Sequence, residues 1–287
     1  MQSNPQVPWT EEQWARVNLA IQEEAQRARV AAKFLPLYGP LPPDTDFVRK
    51  MEIPAGAPLT VDDQTTIKLA TLQVKLHLRG AQLADPELGS VLSAFRQAGN
   101  ILARVEDALV FNGQPGPNTL PPGIPPNLGA ELSGGQQSDG LVGLGGVNAT
   151  PPVGDGDELV AAVTDAVGKL EFKGHFGPFA VALGQDFFGW AQMPNPAHPQ
   201  VTPQEQIVPL LGGGSLFRCS AIPHNRGVVV ALGGEPIELV IATDVSAQFL
   251  LLNDKPIYIF RVYEKLVLRI KSNDAVVTLI GKPPSKR

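Results

Sequence analysis

Between Asp85 and Gly113 the apolar residues Leu88, Val91, Leu92, Phe95, Ala98, Leu102, Val105 and Leu109 recur at helical spacing along one stripe. Asp85 is a good N-cap, Pro86 suits a first helical position, and Gly113 stands where a helix stops. The pattern predicts one helix between Asp85 and Gly113, roughly 38 Å long at about 1.5 Å per residue. An element of that length spans most of a domain, and this one carries no evident chemistry. It reads as a structural spine along which the rest of the chain must pack.

The 287 residues suffice for one large domain or two small ones, and a hydrophobic share of 43% supplies a core. Charged residues make up only 18%, which implies many buried positions or a surface that meets other surfaces. A net charge of −5 gives no general nucleic-acid footprint. The single cysteine, Cys219, excludes an internal disulfide framework and fits a reducing compartment. The opening MQSNPQVPWTEEQW lacks a basic region followed by an apolar core, so no signal peptide is expected. No apolar run reaches the roughly 18 residues of a membrane span. A soluble cytoplasmic protein is the expectation.

Thr10 and Gln13 form a capping-box pattern, with Trp9 and Trp14 placed as a hydrophobic staple, for a first helix from Thr10 to about Ala32. Its face of Trp14, Val17, Ile21, Ala25 and Ala28 packs either on its own domain or, as an arm, on a neighbouring chain or guest. Residues 36–63, rich in Pro, Gly and Asp, read as loop. Thr66–Arg79 alternates like a strand, and its apolar phase flips between Ile67/Leu69 and Leu72/Val74/Leu76/Leu78, which predicts a bulge or bend. With 48–65 it forms a β-excursion that cannot bury a face by itself and needs a partner. Gln114–Gly156, crowded with Gly and Pro, reads as irregular: a tolerated surface insertion or a functional loop.

Beyond it, Asp157 caps a helix Glu158–Leu170, and a strand spans Phe179–Leu183. Helical stretches follow at Asp186–Met193 and Gln204–Leu211. Strands are expected at Val228–Leu232, Glu238–Ala242, Tyr258–Lys271 and Ala275–Ile280. In Tyr258–Lys271 one side carries Phe260, Val262, Leu266, Leu268 and Ile270, and the other Arg261, Lys265, Arg269 and Lys271. That basic row is a solvated face or, in an assembly, faces a partner or cargo. The class is α+β, without an internal repeat.

Catalytic and metal motifs are absent from this pattern. His77, His175, His198 and His224 include no i, i+4 pair, and none has a second cysteine to pair with. Cys219 reads as a buried small thiol rather than a nucleophile served by His224. Gly212-Gly213-Gly214-Ser215 lacks a P-loop lysine and dinucleotide-turn spacing, and reads as a turn before a strand at Leu216. Asp155-Gly156-Asp157-Glu158 lacks calcium-loop spacing but makes a good helix start. No GxSxG, HExxH or paired-carboxylate motif stands out. No catalytic, cofactor-binding or metal residue is assigned, and the chain reads as a non-enzyme.

The order of several segments resembles the encapsulin shell proteins (the linocin/bacteriocin-type family), relatives of tailed-phage major capsid proteins. The segments are WTEEQWARVN at the start, KFLPLYGPL at 33–41, ARVEDALVFNG at 103–113, GHFGPFAVAL at 174–183, RGVVVALGG at 226–234 and YEKLVLRIKSNDAVVTL at 263–279. The resemblance implies a Hong Kong 97 phage-like capsid fold in four parts. An N-terminal helical arm would take 1–38. A peripheral domain would take 39–47, 81–174 and 251–287, holding the spine at 83–113 and the insertion at 114–156. An extended loop without a partner inside the chain would take 48–80, and an axial domain 175–250.

It further implies many copies closing into an icosahedral compartment that encloses a cargo enzyme, such as a peroxidase or ferritin-like protein, through its C-terminal targeting peptide. By position, Phe34, Leu35 and Leu37 are the candidate lining of the peptide site, with core packing the alternative for Phe34 and Leu37. Ala32 and Pro36 would make that groove more apolar than in some relatives. The loop Asn195-Pro196-Ala197-His198-Pro199 would ring a five-fold pore that admits small substrates, with His198 repeated around it. Some relatives hold flavin beside an extended-loop aromatic; near Leu78 and Arg79 there is no Trp or Tyr in sequence, so no flavin is expected. Neither nucleic acid nor membrane is an expected partner. A tailed-phage coat is the alternative, without support from the acidic net charge. A hydrolase or protease would need a site that the residues do not offer.

Overall fold

The computed structural model describes residues 7–53, 60–144, 149–194 and 200–282. Helix α1 runs Glu11–Ala28 and starts at the expected capping box: Thr10 Oγ1 accepts from Gln13 N–H at 3.2 Å, and Gln13 Oε1 accepts from Thr10 N–H at 3.0 Å. The staple forms as well, with the Trp9 and Trp14 rings edge to face at 5.0 Å. The helix stops at Ala28, before the expected end, and a single 3-10 turn covers Ala31–Lys33.

Short strands β1, Leu37–Tyr38, and β2, Phe47–Arg49, punctuate the loop that follows. The predicted phase flip is a break between β3, Thr66–Lys68, and β4, Ala70–Arg79, where Leu69 and Ala70 are both buried.

Helix α2 is the short Gly80–Leu83, and the spine, α3, spans Gly89–Asn112, about 36 Å at 1.5 Å per residue. The spine therefore begins later than its sequence pattern predicts. Asp85 caps an intervening turn, accepting from the N–H groups of Glu87 at 3.0 Å and Gly89 at 3.1 Å, and Leu88, at φ 53°, turns the chain into the helix. Nor is the helix one-sided throughout: every residue from Val105 to Phe111 is buried, Glu106 and Asp107 included. Helix α1 crosses it where Gly99 lacks a side chain; a Cβ there would lie 3.1 Å from the Ile21 carbonyl oxygen. Gly113 ends the helix at φ 71°, packed so closely on the Ser138 carbonyl that any Cβ would collide.

Residues 114–156 are more ordered than their composition predicts. They contain β5, Ala130–Gly134, and α4, Gly140–Leu144, whose Leu141 is fully buried. Helix α5, Gly156–Phe172, is capped by Asp155 rather than Asp157, its carboxylate accepting from Glu158 N–H at 2.8 Å. Strand β6, Phe179–Leu183, helix α6, Gln185–Gln192, helix α7, Pro203–Ile207, and strand β7, Leu216–Arg218, follow much as expected. The last strands are β8, Arg226–Ala231, β9, Ile237–Leu252, β10, Ile257–Ile270, and β11, Val276–Ile280.

Two sheets and a ribbon result. The five-stranded sheet has the order β1-β9-β10-β4-β5, the four-stranded one β11-β8-β6-β7, and β2 pairs β3 alone. This places β4 differently from the predicted excursion. It is antiparallel to β10 from Ala70↔Leu266 to Arg79↔Ile257, and its N-terminal half pairs β5 on the other edge. Its partner is therefore in the same chain. Likewise β11, expected with the closing strands of the peripheral domain, pairs β8 in the second sheet, and α5 packs there too.

Candidate functional site

The segment that follows α1 is fixed by a buried charge cluster. The Arg29 Nε lies 2.9 Å from a Glu106 carboxyl oxygen, and its Nη2 lies 3.1 Å from Asp244 and 3.2 Å from Glu264. Glu106 and Glu264 are at most 2% exposed. The Asp107 carboxylate accepts from Val30 N–H at 3.0 Å and Ala31 N–H at 2.8 Å, tying the turn to the spine. Burial pushes Glu264 up to about 8, with the Asp244 charge adding and Arg29 opposing. Burial, then the negative charge of Glu264, pushes Glu106 well above the carboxylate range, while burial takes Asp107 up to about 6. Besides the oxygens that meet Arg29, Glu106 Oε1 and Glu264 Oε1 are buried without a hydrogen-bond partner, which raises the cost of ionising both acids. This acid pair joins two elements far apart in sequence, so no local motif announced it, and the spine carries chemistry after all.

Of the predicted lining residues, Leu35 is 3% exposed and packs into the core, which removes it from any peptide site on this surface. Phe34 is half-buried, stacked on Phe217 at 5.4 Å and tilted against Phe111 at 6.3 Å. Leu37 is exposed, in the two-residue strand that runs parallel to Leu239–Val240 of β9. Next to it Tyr38 lies under the Arg269 guanidinium, 4.5 Å from the ring centroid. The pore candidates Asn195, Pro196, Ala197 and His198 lie outside the described residues. At Leu78 the fold brings in an aromatic residue absent from the neighbouring sequence, since Tyr258 is its cross-strand partner.

The basic row of β10 is not a free face. Arg261 donates to Gln248 and Gln73, Lys265 reaches Asp46 at 2.6 Å, and Arg269 and Lys271 both pair with Glu238. Arg269 is 4% exposed, because Glu238 is its register partner on β9. Cys219 is buried, and its thiol is pushed up to about 12 by desolvation, which suits a packing role. His224 lies beside it in sequence, on the rim of a cleft of about 490 Å³ between Asn112, Asp139 and Ser220–His224. Among the described residues no cluster of His, Cys, Asp or Glu has the makings of a metal site, and no helix is long and apolar enough to cross a membrane.

Among the described residues several large apolar side chains are exposed. Phe47, Met51, Ile53 and Val61 are exposed on and beyond the β2–β3 ribbon, Leu250, Leu251 and Leu252 at the end of β9, and Phe172, Phe176 and Met193 around the second sheet. Single exposed apolar residues are ordinary on a monomer, but runs of them mark surfaces that meet other surfaces.

A family model described as encapsulating protein for peroxidase matches residues 1–123 and 132–267. The type 1 encapsulin shell protein EncA of Myxococcus xanthus is 29% identical over 299 residues, covering 98% of this chain and 96% of that protein. Among solved structures, the virus-like particle from Pyrococcus furiosus matches with a TM-score of 0.70 at 18% identity, over 94% of this chain and 100% of that one. The capsid of Myoviridae phage XM1 matches with a TM-score of 0.60 at 14% identity, over 88% and 91%. The spine helix, the two sheets and the ribbon make the Hong Kong 97-type capsid fold.

Proposed function

The chain belongs to the encapsulin family of shell proteins, and on that premise we propose that its copies close into an icosahedral cytoplasmic compartment that encloses a cargo enzyme. It is a structural subunit rather than a catalyst. The family match, which spans nearly the whole chain, carries the reading. The exposed apolar groups on the ribbon and at the end of β9 support it, since copies of the chain are what would cover them.

The cargo we propose is a peroxidase or ferritin-like enzyme held by a C-terminal peptide. Phe34 and Leu37 are the lining, since both offer apolar surface beside β1, whereas Leu35 does not. The described parts are read as arm, extended loop, peripheral and axial domains as given above, with three amendments. Residues 70–79 and 237–250 count with the peripheral sheet, and 156–172 and 276–280 with the axial layer. Asn195–His198 is the proposed five-fold pore loop.

The test is cargo loading by Phe34→Asp and Leu37→Asp variants co-expressed with the cargo enzyme. Burying a large apolar side chain is worth about 1.5–3 kcal/mol, so each variant is expected to lower loading at least about tenfold while particles still form. Undiminished loading in intact particles would overturn the assignment of these residues and leave the shell itself standing.

A further inference from the structure

Three elements far apart in sequence bring carboxyl groups to Arg29, and Lys33 lies close by in the turn that follows it. Helix α3 supplies Glu106 and Asp107, β9 supplies Asp244, β10 supplies Glu264, and the 3-10 turn supplies Lys33, whose Nζ donates to the Arg27 carbonyl at 2.9 Å. Cys219 also lies within the field of Asp107. One buried guanidinium thus faces several carboxyl groups, two of them sealed from water. We propose that the Arg29–Glu106–Glu264 cluster is an alkaline-triggered latch, which holds the turn after α1 on the spine and the long sheet while at least one of its glutamates is protonated and releases the turn and the N-terminal arm when both are ionised.

The physical ground is that two buried carboxylates, each within 3.2 Å of one guanidinium, cannot both ionise without large mutual repulsion, and a single Arg29 cannot neutralise both. The contact that would suffer is the one that positions Arg29, and through it the Asp107 cap on Val30 and Ala31. The sign follows from linkage. Folding raises the proton affinity of both glutamates, so their stabilising contribution is complete below the ordinary carboxylate range. It declines as pH rises above that range, the part due to Glu264 being lost as pH passes about 8. Asp107, raised to about 6, ionises earlier and adds its charge to the same side.

The test is hydrogen exchange of the purified assembled protein at pH 6 and pH 9, corrected for the intrinsic pH dependence of exchange, alongside the Glu106→Gln/Glu264→Gln double variant and Glu264→Gln alone. The wild type is expected to lose protection across residues 24–38 at pH 9, at least about tenfold, and the Gln variants to keep it. Equal protection at both pH values, or equal loss in the variants, would overturn the latch. Infrared spectroscopy of the wild type gives a reading that does not depend on any variant folding. The carbonyl stretch of a protonated buried carboxyl should be present at pH 6 and lost at pH 9, and its absence at pH 6 would also overturn the proposal. Light scattering on the same samples reports assembly separately. Particles that dissociate while residues 24–38 stay protected would contradict the latch and leave the shell reading intact.

Discussion

Replacing residues 51–64 with an Asn-Gly turn between Lys50 and Thr65 is expected to give a folded subunit that no longer closes into particles. The backbone allows the splice: Lys50 N–H donates to the Thr65 carbonyl at 2.8 Å, and Arg49 opposes Thr66 in the β2–β3 register, so two residues with the right turn chemistry can join the strands. What the splice removes is Met51, Ile53 and Val61, exposed apolar residues on a ribbon too small to be stable on its own surface area. It also removes the Ile53 N–H to Lys271 carbonyl bond, a modest loss. Melting within a few degrees of the wild type, together with elution as a single subunit or small oligomer, is the expected pair of results. Normal particles would mean that this ribbon is not a contact between subunits. The larger deletion of 48–80, the extent of the predicted excursion, is a poorer experiment. It removes β4 from between β10 and β5, and the sheet is expected to unfold.

The second large effect is at Phe260. Its fully buried ring is stacked on Trp9 at 5.0 Å and lies 6.0 Å from Trp14, 5.6 Å from Phe95 and 5.4 Å from Phe249. Those rings come from the start of the arm, the spine and strand β9, and Phe260 itself is on β10, so this one side chain joins three layers. Phe260→Ala is expected to cost about 3–5 kcal/mol, from lost apolar burial plus the cavity left behind. At about 2–4 °C per kcal/mol that is a fall in Tm of roughly 10 °C. Trp9 and Trp14 are two of the three tryptophans in the chain, so their fluorescence should shift to the red in the folded variant as water reaches the arm. Phe260→Leu, which keeps most of the volume, should lose much less. A drop in Tm under about 2 °C for the alanine variant would contradict the cluster's role.

Local signals were legible in the sequence where a helix or strand declares itself by period and cap. The spine stripe and the Thr10 capping box are of that kind, because the apolar face and the first-turn donors lie within a few residues of each other. Pairing across long separations was not legible. Nothing near Leu72 says that it will oppose Glu264, or that Ala130–Gly134, inside a run rich in Gly and Pro, will add an edge strand to β4. The same limit hid the charges. Arg269 and Lys271 look solvated when read along β10, yet register puts Glu238 beside them, and Glu106 looks like a polar residue on an apolar stripe until Arg29 and Glu264 arrive from other elements. Strand β9, expected over Glu238–Ala242, continues to Leu252 through register shifts against β10. The candidates Phe34, Leu35 and Leu37 came from resemblance in position. Only the fold separates the exposed Leu37 and half-buried Phe34 from the buried Leu35.

The most direct measurement is the mass and shape of the purified full-length protein in mild buffer, by light scattering and electron microscopy. Hollow round particles in the megadalton range, with no substantial population of free chains, are the predicted result. A species that stays at 30.5 kDa at high concentration, with no closed particles on the grid, would contradict the account.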